Sequence, residues 1–102
     1  DFRSVDAETF AHVIEDTTVV RLDVRTANEY AQGHIPNALL IDVTQADFMQ
    51  KAEQQLPKDK TIALYCRSGR RSKNAAMQLA QHGYQVVELN TGFNSWKGEI
   101  TK

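Results

Sequence analysis

Cysteine is almost absent from this chain, since Cys66 is the only one. A disulfide within the chain is therefore excluded, and the core must come from packing. The sequence also lacks any apolar run approaching the roughly 18 residues that would suggest a membrane span. It has only five glycines and two prolines, with no repeat or low-complexity tract. With 102 residues of ordinary globular composition, residues 1–102 are predicted to form a single domain.

Acidic residues are missing from one long stretch. The net charge of the chain is −1, but residues 1–50 carry nine acids and three bases, whereas residues 51–102 carry nine bases and four acids. No Asp or Glu occurs in the stretch Thr61–Val87, which includes Arg67, Arg70, Arg71 and Lys73. Such a local positive field attracts small anions. The cluster is short and the pI is about 6.3, so we expect no nucleic-acid partner.

Apolar runs of strand length alternate with helical patterns along the chain. Four strands are predicted, at Thr18–Leu22, Leu39–Ile41, Thr61–Tyr65 and Gln85–Leu89. Helices are predicted to begin near Asp6, Thr26, Thr44 and Ser72, and a short last helix holds Trp96. Alternating elements with continuous apolar strands indicate an α/β fold, in which a mostly parallel central sheet is flanked by helices on both faces.

The single cysteine lies directly after a predicted strand and shortly before a predicted helix. In parallel sheets, ligands bind beyond the carboxyl ends of the strands, and Cys66 is predicted to lie at one of these ends. Three effects there would favour its thiolate: the N–H groups of a tight loop, the helix N-terminus and the nearby arginines. We therefore expect Cys66 to be an ionised nucleophile at neutral pH rather than a small buried hydrophobe.

The spacing from the cysteine to the arginines limits the chemistry. A phosphatase loop built on cysteine needs the pattern C-x5-R, in which seven residues wrap a phosphoryl group. Position 72 is serine in this chain, and Arg71 instead gives C-x4-R, one residue short. The smaller loop suits a sulfur atom bound as a persulfide better than it suits a phosphoryl group. A cysteine phosphatase or an arsenate reductase is therefore the less favoured enzyme class.

Taken together, these residues resemble the rhodanese family, in particular its single-domain sulfurtransferases. The resemblance is carried by motifs in the family's order: LDVR from Leu22, Glu29-Tyr30, GHIPNA from Gly33, YCRSGRRS from Tyr65, Gly83-Tyr84, and Gly92 with Trp96. Jointly the motifs are specific, they cover most of the chain, and they imply a rhodanese-like domain. One departure is Thr91-Gly92, which stands where the family tends to have paired glycines before the last helix.

The resemblance implies a thiosulfate sulfurtransferase that moves sulfane sulfur through a persulfide on Cys66. The donor would be thiosulfate or a similar small anion, and the acceptor would be a thiol, cyanide or a protein. Backbone N–H groups of the loop would stabilise the negative sulfur, and Arg67 and Arg70 would draw in the donor. The expected loop and anion-binding residues are Arg67, Ser68, Gly69, Arg70, Arg71 and Ser72. No cofactor is expected, and one cysteine with scattered histidines offers no metal-ligand spacing.

Three residues earlier in the chain are expected to support the loop. By the resemblance, Arg71 would turn inward and pair with Asp23 or Glu29. Thr26 and Glu29 have the spacing of a capping box, which already gives Glu29 a structural role. Asp23 ends a buried strand beside the predicted site and is the better candidate for support, and Arg25 follows it in the same motif. The alternative interpretation of Asp23, Arg25 and Glu29 is a set of surface ion pairs and a helix cap.

Two further functions would use the same loop. The domain would then be either a persulfide carrier that passes sulfur to a protein and turns over small donors poorly, or a catalytically silent binding module. Silent modules commonly lose the cysteine, which this chain keeps. The sequence does not separate a carrier from an enzyme, and it selects neither an oligomeric state nor a compartment. We expect a soluble protein of the cytoplasm or periplasm, and the start at Asp1 without a signal-like segment is compatible with trimming.

Overall fold

The computed structural model describes all residues from 1 to 102. In chain order, the strands are β1 (Arg3–Val5), β2 (Val20–Asp23), β3 (Leu39–Leu40), β4 (Thr61–Tyr65) and β5 (Gln85–Leu89). The helices are α1 (Ala7–Val13), α2 (Ala27–Gln32), α3 (Phe48–Gln55) and α4 (Arg70–Gln81), followed by a 3₁₀ turn at Phe93–Ser95. None of these helices is both long and apolar enough to cross a membrane.

All five strands lie in one sheet, in the order β1-β5-β4-β2-β3, and every neighbouring pair is parallel. The predicted parallel α/β sheet is therefore confirmed. β4 lies at the centre, between β5 and β2. In the register of β2 with β4, Asp23 lies opposite Tyr65, and both strands end there. Cys66 follows Tyr65 and thus leaves the carboxyl edge of the sheet next to the end of β2.

The two faces of the sheet carry separate apolar cores. Successive residues of a strand point to opposite faces, and along β4 Ile62 and Leu64 belong to one cluster while Ala63 and Tyr65 belong to the other. The first cluster also contains the buried apolar residues of α3 and α4, and the second contains Phe10 of α1. Helices therefore cover both faces, as the continuous apolar strands predict.

Several elements begin elsewhere than the sequence predicts. β1 gives almost no apolar signal, because it is three residues long with two exposed side chains at the sheet edge, and the prediction misses it. β2 begins at Val20 because Thr18 belongs to the preceding turn. α3 begins at Phe48 rather than near Thr44, since Asp42 accepts hydrogen bonds from both the amide and the hydroxyl of Thr44 and holds it in a turn.

The ends of the last two helical segments also differ from the prediction. α4 begins at Arg70, two residues before the predicted Ser72, because Gly69 takes the N-cap position in a left-handed conformation. Trp96 lies just after the 3₁₀ turn and not within it. The first difference shortens the connection between Cys66 and α4, and neither difference moves the predicted site.

Candidate active site

The residues from Cys66 to Ser72 form a tight connection between β4 and α4. β4 ends at Tyr65, Gly69 has a φ of 102°, and α4 begins at Arg70. A left-handed residue in such a turn lets successive N–H groups point into one concave site that binds anions. The loop therefore brings the cysteine, its N–H groups and the start of a helix together at the carboxyl end of the central strand.

The sulfur of Cys66 is held by backbone N–H groups. The amide of Gly69 donates to Cys66 Sγ at 3.1 Å, and the amide of Ser72 donates to it at 3.2 Å. The cysteine has no exposed area. Hydrogen bonds to an ionised acceptor are stronger than those to a neutral one, so this arrangement favours a thiolate over a thiol.

Hydrogen bonding within the loop determines the ionisation of the thiol. Burial by itself raises the pKa of Cys66, because water no longer solvates the charge. Hydrogen bonds from Ser72 and from the N–H groups of Gly69 and Ser68 act in the opposite direction and prevail, so the pKa lies below the ordinary value of cysteine. The pKa moves in the expected direction, and its main cause is local hydrogen bonding rather than the long-range charge of the arginines.

The segment after β5 holds the other side of the loop. The amide of Phe93 donates to the carbonyl oxygen of Cys66 at 2.8 Å, and the amide of Asn94 donates to that of Arg67 at 3.0 Å. These bonds satisfy carbonyl groups at the start of the loop, where the strand ladder has ended. The 3₁₀ turn therefore fixes the backbone that carries Cys66.

The departure at Thr91-Gly92 leaves this contact intact. Gly92 packs so closely against the loop that a Cβ there would overlap the carbonyl group of Arg67. Thr91 is exposed, and its hydroxyl donates to Ser95 at 2.6 Å. Glycine is thus required at position 92, whereas position 91 accommodates a side chain.

Arg71 is turned toward α2 by an ion pair with Glu29. Its two terminal nitrogens lie 2.8 and 2.9 Å from the two carboxylate oxygens. Glu29 also completes the predicted capping box, in which it accepts from the Thr26 amide and its own amide donates to the Thr26 hydroxyl. The Arg71 guanidinium holds the pKa of Glu29 at about 2, well below its ordinary 4.5. Of the two partners predicted for Arg71, Glu29 is the one that it contacts.

Asp23 is occupied by Arg25 instead. Its Oδ2 accepts from Arg25 Nη2 at 2.7 Å, and the same nitrogen donates to the carbonyl oxygen of Gly33 at 2.7 Å. Both residues are buried, so the interpretation as a surface ion pair is wrong for them. The guanidinium carbon lies 4.3 Å from the ring centroid of Phe93. Asp23 therefore acts on the loop only indirectly. It holds Arg25, which packs on Phe93, and the amide of Phe93 donates to the loop.

Arg67 and Arg70 have no carboxylate partner. Both side chains are exposed, and the ion pairs of the chain include neither of them. Arg67 lines a polar cavity of about 280 Å³ beside the loop, together with Gln32, Glu29 and Asn94. The uncompensated positive charge of the loop therefore lies on these two arginines.

Sequence analysis misses one buried acid near the loop, Glu88 on β5. It is fully buried, and its carboxylate accepts hydrogen bonds from Ser4, Ser72 and Lys73. Its place inside the apolar run of β5 is a signal in the sequence, because a charged residue is almost never fully buried unless it is paired. Elsewhere, no group of three or more His, Cys, Asp or Glu side chains is arranged to hold a metal ion.

Known proteins are similar to this chain in sequence and in fold. The family model of the Rhodanese-like domain matches residues 6–99. A sulfurtransferase of Allochromatium vinosum is 37% identical over 94 residues, which cover 90% of this chain and 85% of the relative. The crystal structure of a rhodanese-related protein from Thermoplasma volcanium is similar with a TM-score of 0.85 and 28% identity, over 98% of each chain.

Two further relatives differ in what their names say. The thiosulfate sulfurtransferase GlpE of Coxiella burnetii is 30% identical over 86 residues, covering 83% of this chain and 78% of the relative. The putative sulfur carrier protein YrkF of Bacillus subtilis is 30% identical over 97 residues, covering 93% of this chain and 51% of the relative. The match of the family model includes every element from α1 to the 3₁₀ turn, and it contains the cysteine loop. The chain therefore belongs to the rhodanese-like domain family.

Proposed function

We propose that this chain is a sulfurtransferase that carries sulfane sulfur as a persulfide on Cys66. The observation that carries the proposal is the geometry of the loop, in which the amides of Gly69 and Ser72 point at one buried sulfur. The lowered pKa of Cys66 favours the thiolate, which is the nucleophilic form of cysteine. The name of the relative from Allochromatium vinosum supports the same reaction class.

Thiosulfate is the proposed donor, and the first step is an attack on its outer sulfur. The Cys66 thiolate forms a new S–S bond to that sulfur, the S–S bond of thiosulfate breaks, and sulfite leaves with the bonding electron pair. The donor is a dianion, and the unpaired guanidinium groups of Arg67 and Arg70 would attract it. The name of the GlpE relative supports this donor.

The second step moves the sulfur to an acceptor. The outer sulfur of the persulfide is anionic, and the loop N–H groups would stabilise that charge until the acceptor arrives. A thiol, cyanide or a cysteine of a partner protein attacks the outer sulfur, the S–S bond of the persulfide breaks, and the Cys66 thiolate leaves. The two steps balance without a cofactor, an oxidant or a reductant.

A persulfide carrier is the second candidate. The relative YrkF, which is named a putative sulfur carrier protein, favours it. A carrier would form the same persulfide on Cys66 but would pass the sulfur to a protein, and its turnover with cyanide would be poor. The two candidates therefore differ in the second step alone.

Thiocyanate formation from thiosulfate and cyanide tests the proposal, with the wild type beside Cys66→Ser. We expect activity in the wild type and none in the variant, because a serine cannot form the persulfide. Mass spectrometry after incubation with thiosulfate should show a gain of about 32 Da, one sulfur atom, in the wild type only. A gain in mass without thiocyanate would favour the carrier. The absence of both signals would contradict both candidates.

A further inference from the structure

One side of α4 is exposed from its first turn to its last, and it begins at the sulfur loop. Arg70, Asn74, Met77 and Gln81 are spaced by three or four residues, so they lie on the same side of the helix. All four are exposed. At a rise of about 1.5 Å per residue, they form a stripe about 16 Å long, which we call the α4 stripe. Beyond Arg70, neither step of the proposed transfer uses it.

The end of the α4 stripe beside the loop carries positive charge that no acid balances. Arg70 and Arg67 of the loop are exposed, and neither belongs to an ion pair. The acids of the adjacent α3 segment, Asp47 and Glu53, are both paired with lysines, and Glu88 of β5 is buried. A partner that covers this end of the stripe must therefore supply the negative charge.

Met77 adds an apolar contact further along the α4 stripe. It is 52% exposed, and it is the only large apolar residue of α4 that is exposed. Along the helix axis it lies about 10 Å from Arg70, which is beyond the reach of a small ion bound at the loop. Interfaces between proteins are enriched in methionine and arginine, and methionine adapts its shape to different partners. This combination fits a protein better than a small molecule.

We propose that Arg67 and the α4 stripe form the docking surface for a protein sulfur acceptor. The acceptor carries acidic side chains beside its cysteine, which face Arg67 and Arg70, and an apolar side chain about 10 Å away, which packs on Met77. The proposal rests on the proposed function, because the docked cysteine must reach a persulfide on Cys66. Its thiolate bonds to the outer sulfur, the S–S bond of the persulfide breaks, and the Cys66 thiolate leaves. A surface of this size gives a transient contact, which lets the acceptor leave with the sulfur.

Binding can be measured without sulfur transfer, through the two methionines of the chain. Met77 lies in the α4 stripe, whereas Met49 of α3 packs against the core. The probe is a synthetic peptide with a serine in place of the acceptor cysteine, two glutamates beside it, and a leucine about three residues further on, since an extended chain spans about 3.3 Å per residue. With carbon-13 in the methionine methyl groups, this peptide should shift the NMR signal of Met77 and leave that of Met49 in place. No shift of Met77 at millimolar peptide would overturn the proposal.

Matched peptides and variants separate docking from a general attraction. A peptide with lysines in place of the glutamates, and one with a glycine in place of the leucine, should each bind more weakly than the probe. Arg70→Glu should weaken binding of the probe about fivefold. Lys60→Glu makes the same change of charge just before β4 begins, and its binding should match the wild type. Equal binding of the lysine peptide, or an equal loss in the two variants, would overturn the docking surface.

The cysteine form of the probe tests delivery of the sulfur. After Cys66 is loaded from thiosulfate and the excess is removed, the glutamate peptide should discharge the persulfide about fivefold faster than the lysine peptide. Met77→Ala should slow this discharge and leave discharge by cyanide unchanged. Leu39→Ala is the control, because it removes an exposed apolar side chain from the edge strand β3, and it should match the wild type.

The two measurements distinguish the docking surface from the proposed function. A persulfide that both peptides discharge at the same rate would contradict the docking surface and leave the proposed function standing. A chain that binds the probe at Met77 but forms no persulfide would contradict the proposed function, and the α4 stripe would stand as a binding site for an acidic partner.

Discussion

Arg71 and Glu29 lie 42 residues apart in the chain and form a two-bond ion pair, with distances of 2.8 Å for Nη1–Oε1 and 2.9 Å for Nη2–Oε2. The pair joins the first turn of α4 to the first turn of α2. The two side chains are 29% and 22% exposed, so water screens the pair only in part. Because two guanidinium nitrogens face the carboxylate, we expect Arg71 to organise the loop rather than to bind the donor.

Arg71→Ala should lower stability and activity together. The change leaves Glu29 without its guanidinium partner and separates α4 from α2, which should reduce the free energy of unfolding by about 2 kcal/mol. Urea unfolding and thiocyanate formation measure the two effects. Arg70→Ala is the matched control, because that side chain is exposed and its loss should leave the unfolding free energy unchanged. An unaltered melting temperature with lost activity in Arg71→Ala would contradict the structural role.

The same pair should make stability depend on acid pH. Arg71 holds the pKa of Glu29 at about 2, below the ordinary 4.5. A carboxyl group whose pKa is lower in the folded state stabilises the fold above its unfolded pKa, and this contribution is lost as the pH falls toward the folded pKa. Between about pH 5 and about pH 2, the wild type should lose about 1 kcal/mol more than Glu29→Gln after solvent screening. Urea unfolding across this range measures the difference, and parallel curves for the two proteins would refute it.

The place of Cys66 in the fold could be predicted from the sequence because local patterns specify it. An apolar run ends at Tyr65, Gly69 supplies the left-handed turn, and α4 begins two residues before the predicted Ser72. Each of these features depends on residues close together in the chain. The parallel sheet could be predicted because successive parallel strands need a crossover connection. Helical patterns between the predicted strands supply these connections.

The partners of the charged side chains could not be predicted, since they depend on packing between distant segments. From the sequence, two carboxylates are possible partners of Arg71. Only the folded chain shows that Asp23 pairs with Arg25 and that Glu29 pairs with Arg71. Glu88 is a similar case, because its serine partners lie 84 and 16 residues away. Hydrophobic periodicity specifies which face of an element is buried, but it does not specify which polar groups meet there.

Arg67→Ala should weaken the capture of the donor without changing the fold. Arg67 is exposed and lines the cavity beside the loop. In the variant, kcat/KM for thiosulfate should fall about fivefold and should depend less on added salt, because salt screens the attraction between the guanidinium and a dianion. Lys60→Ala is the control, since it removes an exposed positive charge at the opposite end of β4. Equal effects of the two variants would mean that net charge, and not the loop, attracts the donor.

Gly69→Ala should disrupt the sulfur site, whereas Gly83→Ala should not. Both glycines have a positive φ, of 102° and 89°, so an alanine at either position is strained by about 1–2 kcal/mol. A Cβ at Gly83 would meet no atom within 4 Å, but a Cβ at Gly69 would overlap the carbonyl oxygen of Asn90.

The loop must therefore move in Gly69→Ala, and its amide would no longer donate to Cys66. We expect the pKa of the thiol to rise in this variant and thiocyanate formation to fall at least about tenfold. In Gly83→Ala, the pH profile of Cys66 alkylation and the activity should match the wild type despite a small loss in melting temperature. If both variants kept the wild-type alkylation profile, the N–H groups of the loop would not be the cause of the lowered pKa, and the thiolate would have to owe its stability to the arginines instead.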